Sequence, residues 1–493
     1  MRNKCTYKLN SLVILVMVIL LFGLSHSCML NDEWKEHFES EPEQIGLNVL
    51  EMIAQDENYS MFYEALLNYG FDKLLTRSQY FTVFIPVNAA FDGLPQFTDD
   101  QWKQIINFHI LYSKIFSQDF GDINMLTRAG KYLKLESVEN NQFAIFNAMI
   151  NMDNVDTYCQ NGVLHEIDQL LIPRPNVYEY VMNLDDSYSI LQDFLASMDS
   201  RFIDYDKSER IGVDDDGNTI YDTVWREENY FLDNIAGLNR EAEAFTAFIP
   251  SNTDVLDALD EVSIYFGNIN ELDEETYNQL LFITFSGSFA RKAYKVEDLP
   301  DTINSVTDKS IDIGMLTFFE TDVEVSNGVV HLLGDMTIPK EYFLLPITIE
   351  CDRKENRTVS NTVYPVEVLS DTRASRGSYV SYGCKFVGDY MEFKVNMVLK
   401  TTYWFVWTGP KQGPSHYQLS VRDEASGEFV NVGPPVDNWA KGSFELVESG
   451  THTFNDFGTK TVRMTVVDEL PLVGYNSIFL DYIKLVPDEI YTK

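Results

Sequence analysis

The chain contains the same pair of motifs twice. FTVFIPVNAAF at Phe81–Phe91 returns as FTAFIPSNTDV at Phe245–Val255, and NGVLHEIDQLLIP at Asn161–Pro173 returns as NGVVHLLGDMTIP at Asn327–Pro339. The interval from Phe81 to Asn161 matches that from Phe245 to Asn327 to within a couple of positions. Two motifs that recur at one separation require one supersecondary unit built twice. The starts match as well, NVLEMIAQDENYS from Asn48 against NVYEYVMNLDDSYS from Asn176. The stretch from Asn176 to Phe245 is, however, far longer than that from Asn48 to Phe81. The second copy therefore carries an insertion, placed near 201–240, ahead of its FTAFIP motif.

FTVFIP is a short apolar, aromatic and β-branched run, the pattern of a buried strand. Pro86 ends it, and Asn88 is positioned to cap a helix begun by Ala89, Ala90 and Phe91. Asn161-Gly162 reads as a turn with positive φ feeding the strand Val163 to Ile167. Trp102 to Leu111 has helical spacing and then a strand-like tail. Each copy is a mixed α/β unit, with expected limits 43–174 and 175–340.

These motifs resemble the fasciclin family, whose members keep a TVFxPxNxAF segment and an NGxxHxID segment. The first copy carries Thr82, Phe84, Pro86, Asn88 and Phe91, then Asn161, Gly162, His165, Asp168 and Pro173. The second keeps Thr246, Phe248, Pro250, Asn252, Asn327, Gly328, His331 and Pro339, with Val255 for the aromatic and Gly334 for the Asp. The resemblance implies a β-wedge with helices packed on it, and extracellular adhesion or ligand binding rather than catalysis. The family's adhesive Tyr-His pair falls at Phe108-His109 in the first copy and, aligned by position, at Phe285-Ser286 in the second, which has no His. His165 and His331, inside a repeated strand motif, read as hydrogen-bonded structural residues rather than as metal or catalytic ligands.

The insertion contains RIGVDDDGNTIYDTVW, Arg210 to Trp225. A calcium loop of the EF-hand type ending its acidic cluster at Asp216-Gly217 would need an acid at Gly212 and Glu at Thr223 and has neither. With Ile211, Val213, Ile220 and Val224 on either side, a β-hairpin with an acidic tip is favoured. No metal or cofactor is expected from these residues, and calcium on the acidic surface stays open.

After Pro339 and Pro346 the helical periodicity gives way to short alternating runs such as YMEFKVNMVL, TYWFVW, HYQLSVRD and TKTVRMTVVD, the pattern of an all-β sandwich over 345–493. The order of these strands and the closing FLDYIKLVP resembles galactose-binding-like jelly rolls, including carbohydrate-binding modules. Sugar faces stack on exposed aromatic rings, so Trp404, Trp407, Tyr417 and Trp439 are the candidates, with Trp439 in the turn-rich PPVDNWAKG favoured. The fold class is multidomain: two α/β (α+β) fasciclin-like β-wedge domains followed by an all-β, jelly-roll-like sandwich.

At the N-terminus, Arg2, Lys4 and Lys8 precede the apolar Leu12–Leu24, which is followed by Ser25, His26, Ser27 and Cys28. This apolar segment is short of the ~20 residues that span a bilayer. The order resembles a bacterial lipoprotein signal: residues 1–27 would be removed, Cys28 lipidated, and 28–42 would form a tether. Asp32 and Glu33 resemble the signal that sends some lipoproteins to the outer face of the outer membrane. Several acyl chains on one Cys would anchor it stably. The implied partners are outer-membrane lipid through Cys28, a glycan and, because lipoproteins of this architecture resemble those that accompany TonB-dependent transporters, such a transporter complex.

Charge sharpens partner choice. The 37 Lys and Arg stand against 76 Asp and Glu, a net charge of −39, which repels phosphate backbones and excludes nucleic acid as a partner. Cys159, Cys351 and Cys384 show no CxxC and no His at ligand spacing; Cys351 and Cys384 could pair, or all three could be buried thiols. There is no GxSxG, HExxH, P-loop or GxGxxG, so no catalytic residue is assigned; a carbohydrate-active enzyme is the weakest alternative.

Overall fold

The computed structural model describes residues 46–213, 219–355, 357–362, 365–384, 386–411, 416–437, 441–468 and 476–492. The leader, Cys28, the tether to residue 42, the acidic tip Asp214–Gly217 and Trp439 lie outside the described residues. No described helix is long and apolar enough to cross a membrane. The chain divides into two compact units between Arg174 and Pro175.

In the first unit a four-stranded sheet runs in the order Ile110–Leu111, Phe81–Pro86, Gly162–Ile167, Thr157–Cys159. The two motif strands lie side by side and parallel, Phe81 opposite Gly162 and Phe84 opposite His165. Both faces are covered, so every residue of FTVFIP is buried: Phe81, Val83 and Ile85 pack under the helices with Phe62 and Leu66, while Phe84 faces a second, antiparallel sheet built from residues 123–149. Alternation along a strand with two covered faces produces this division.

The second repeat uses the same plan, in the order Phe289–Arg291, Phe245–Ile249, Gly328–Asp335, Thr317–Val325, with Phe245 opposite Gly328. Its second sheet is only the two-stranded ribbon Thr302–Asn304 with Ser310–Asp312. The insertion forms two antiparallel ribbons, Asp199–Ile203 with Trp225–Asn229 and Glu209–Val213 with Thr219–Asp222. The apolar residues expected to flank the hairpin are exposed at Ile211, Val213 and Val224.

The C-terminal region pairs a four-stranded sheet (Ile347–Glu350, Tyr482–Pro487, Thr402–Thr408, Val447–Thr453) with a five-stranded one (Arg357–Val359, Tyr390–Val398, Gly458–Val466, Tyr417–Arg422, Phe429–Asn431). It belongs to the same compact unit as the second repeat. Tyr342, Phe343 and Leu344 are buried, and one apolar core runs from Val177 through the second repeat to Leu485. The helix Asn252–Phe266 ends on it: Phe266 packs on Phe343 and on Phe457 of the sandwich, the Lys400 N–H donates to Tyr265 O at 2.8 Å, and Glu489 takes bonds from Tyr265 Oη and Lys340 Nζ.

The three cysteines after Cys28 are buried free thiols. Burial pushes Cys159 and Cys384 up to about 12, which removes the thiolate that oxidation and metal binding require.

Candidate binding surfaces

The repeated motif residues form one set of contacts in two copies. Thr82 Oγ1 donates to Ser113 O and accepts from Ile115 N; Thr246 does the same with Lys292 O and Tyr294 N. Asn161 accepts from Val49 N and donates to Leu75 O and Arg77 O, matched by Asn327 with Val177 N, Leu238 O and Arg240 O. Each buried Asn pins a helix start to a loop end and leaves none of these backbone groups unpaired.

Two sequence-based readings change. Asn88 does not cap the turn that follows it, whose cap position is Val87. It reaches sideways to the helix Ser60–Asn68, accepting from Met61 N and donating to Glu57 O; Asn252 treats Ile190 N and Asp186 O alike. Gly162 is not among the residues with positive φ. Glycine is needed because a Cβ there would come within 2.4 Å of Phe81 O, and at Gly328 within 2.2 Å of Phe245 O. Pro86 closes its strand opposite Ile167, and Pro250 directly follows the strand Phe245–Ile249.

His165 and His331 are fully buried. His165 Nε2 lies 2.8 Å from Ile115 O while Nδ1 accepts from Asp156 N; His331 does the same with Tyr294 O and Asp322 N. A ring that donates from Nε2 and accepts at Nδ1 is a neutral clamp, and burial lowers both pKa values. Among the described residues no group of three His, Cys, Asp or Glu could hold a metal.

The aromatic candidates of the sandwich separate. Trp407 and Tyr417 are 1% and 4% exposed and pack edge to face in the core, with Tyr417 Oη bonded to Ser477 O. Neither has a face to offer a sugar, because Tyr403, Phe405 and Trp407 alternate onto the inward side of their strand. Trp404 points outward but stacks on Tyr491 at 4.8 Å and donates Nε1–H to Asp488.

The outer face of the five-stranded sheet carries a cluster that the four candidates missed. Arg463 lies 3.9 Å from the Tyr390 ring centre and 3.4 Å from that of Phe429, and its Nε–H donates to Glu392 Oε1 at 2.7 Å. Tyr390 and Glu392 stand on one strand, paired with Thr465 and Arg463 on the next. The signal was present as the alternation of YMEF against TVRMT, which puts both sets on one face once the two strands pair.

The comparisons agree with the first repeat. Residues 57–173 match the fasciclin domain family. A FAS1 domain-containing protein of Saccharomyces cerevisiae is 25% identical over 60% of this chain and 36% of its own length, so this chain spans about a third of that relative. Among solved structures, the FAS1 domain pair of the insect cell adhesion molecule Fasciclin I is 16% identical, covers 58% of this chain and 99% of its own, with a TM-score of 0.24. A family 35 carbohydrate binding module from Clostridium thermocellum is 18% identical over 29% of this chain and 97% of its own, with a TM-score of 0.21. The matched residues include the clamps at Thr82, Asn88, Asn161 and His165.

Proposed function

We propose that this chain is a non-catalytic surface lipoprotein, anchored to the outer membrane through Cys28, that adheres through its fasciclin repeats and holds a glycan on its C-terminal sandwich. The observation that carries the glycan reading is the Tyr390–Arg463–Phe429 stack with Glu392 beside it. Aromatic ring surface next to a fixed donor fork and a carboxylate suits a sugar, which offers an apolar face rimmed by hydroxyls. The net charge of −39 favours a neutral glycan over a polyanionic one.

A neutral-glycan array probed with the full chain tests this. Tyr390→Ala should weaken the retained glycan at least tenfold, whereas Trp404→Ala should change it little; equal binding by the Tyr390 variant and the parent sinks the assignment. Cys28→Ser should abolish incorporation of radiolabelled fatty acid, and protease added to intact cells should cut the protein. Purification from detergent-solubilised membranes decides between a free adhesin and a subunit of a TonB-dependent importer, since only the latter brings a transporter in stoichiometric amount.

A further inference from the structure

The second repeat holds a cavity of about 380 Å³, and the first repeat shows how it arises. In the first, Phe84 N donates to His109 O; in the second, Phe248 N donates to Ser288 O. Counted from these strands, Ser288 therefore stands at the place of His109, and Gly287 at that of Phe108. Counted from the helix caps Thr98 and Asp273, Thr284 stands there instead, its hydroxyl bonding Leu280 O at 2.8 Å as His109 Nδ1 contacts Ile105 O at 2.8 Å. The extra turn of chain between helix and strand, from Thr284 to Ser288, thus replaces one imidazole by two hydroxyl side chains and a Phe by a Gly. Alignment by position at Phe285-Ser286 falls between these two frames.

The rings that are lost filled space. Phe108 packs edge to face on Phe146, and His109 Nε2 accepts from Leu171 N. In the second repeat Gly287, Ser288, Thr284 and Thr337, the counterpart of Leu171, line the cavity instead. The opposite wall is thinner too, since the two-stranded ribbon replaces the four-stranded sheet of the first repeat.

We propose that this cavity is a binding site for a small organic cation, an ammonium group carried on a compact apolar body. Its floor is apolar, with Phe248, Ile311 and Leu333 buried. Ser288 is 3% exposed, and its hydroxyl has no hydrogen-bond partner among the described residues, which leaves it free for a ligand. The mouth carries the exposed carboxylates of Asp312, Asp335 and Glu341, with no Lys or Arg among the lining residues. Asp312 and Asp335 each accept a neighbouring backbone N–H at Oδ1. A volume of this size with an apolar floor and a few converging polar groups has the make-up of a small-molecule site, and the acidic rim selects charge. This site is independent of the glycan reading.

Calorimetric titration of the full chain with 2-phenylethylammonium chloride, and with 2-phenylethanol as its neutral counterpart, provides the test. The ammonium probe should bind at least tenfold more tightly than the alcohol. Ser288→His, which copies the first repeat, should abolish binding while circular dichroism and melting temperature stay near those of the parent. The double variant Asp335→Asn, Glu341→Gln should weaken the ammonium probe at least tenfold; both positions are exposed, so it decides the matter if the His variant does not fold. Absence of binding by both probes, equal binding of the two, or unchanged binding in the double variant would each overturn the proposal.

Discussion

The two repeats share a backbone plan and the polar clamps made by their motif Thr, Asn and His residues, yet differ in what fills the space beneath the sheet. Under the first, eleven buried apolar residues among those described, from Phe84 to Leu171, pack into one cluster with Phe108. Under the second, five remain: Phe248, Ala290, Ile303, Ile311 and Leu333. The clamps hold the parallel strand pair to the helices and are needed twice, whereas the distal core can be thinned without losing the fold. The second repeat gains support elsewhere, since its helix-side core continues into the sandwich. Relief of packing in one layer of a repeat is what allows a cavity there.

If the clamps are equivalent, removing them should cost the same in both repeats. Asn161→Ala and Asn327→Ala each strand one backbone donor and two backbone carbonyls in buried surroundings. Each should cost about 3–4 kcal/mol in urea unfolding. A much smaller loss at Asn327 would break the comparison by showing that the sandwich carries the second repeat.

Acid should separate the two units next. Burial lowers His109 to about 4, so between about pH 6.5 and 4 the unfolded chain binds a proton there that the folded chain does not. Stability from this group is full above pH 6.5 and lost as the pH falls through that window, by about 3 kcal/mol. His165 acts in the same direction. In the second unit His331 and His452 are lowered, but His416 is raised by its bond to Asp468 and gives stability that is present at low pH and lost as the pH rises. Melting followed from pH 7 to 4 should show the first unit losing more than the second.

Much of this was legible in the sequence, for physical reasons that differ by residue. The repeat, the buried strands and the structural role of His165 and His331 follow from motifs in which each residue has one local duty. Asn88 and Gly162 were located correctly but given the wrong duty, because their partners lie far along the chain, Asn88 on the helix Ser60–Asn68 and Gly162 against the Phe81 carbonyl. Trp407 and Tyr417 were placed at a surface they do not reach, since alternation says that faces differ but not which face is core. The cavity was not legible, because it depends on the extra turn of chain between helix and strand and on the width of a sheet that neither motif encodes.

The distal cores give a finer contrast. Leu133 is fully buried under the first sheet, and Leu133→Ala should cost about 3 kcal/mol by leaving a void. Ile311 lines the existing cavity of the second repeat, so Ile311→Ala enlarges an opening rather than creating one and should cost about 1–2 kcal/mol less. Equal costs would mean that the cavity closes in solution. Denaturant midpoints at constant slope separate these outcomes.

The smallest effect tests equivalence where chemistry differs and shape does not. Cys159 in the first repeat stands opposite Gly162, as Val325 stands opposite Gly328 in the second, and both are 6% exposed. The Cys159 sulfur makes only a 3.8 Å contact with Thr157 O, and its pKa is pushed up to about 12 by burial, so it behaves as a small apolar group. Cys159→Val should therefore move stability by less than about 1 kcal/mol, and in the parent this thiol should react with a disulfide reagent only on unfolding. Rapid labelling of Cys159 in the folded chain, or a larger loss in the Val variant, would show that the strand Thr157–Cys159 is held more loosely than its longer counterpart Thr317–Val325, which pairs further along the same edge.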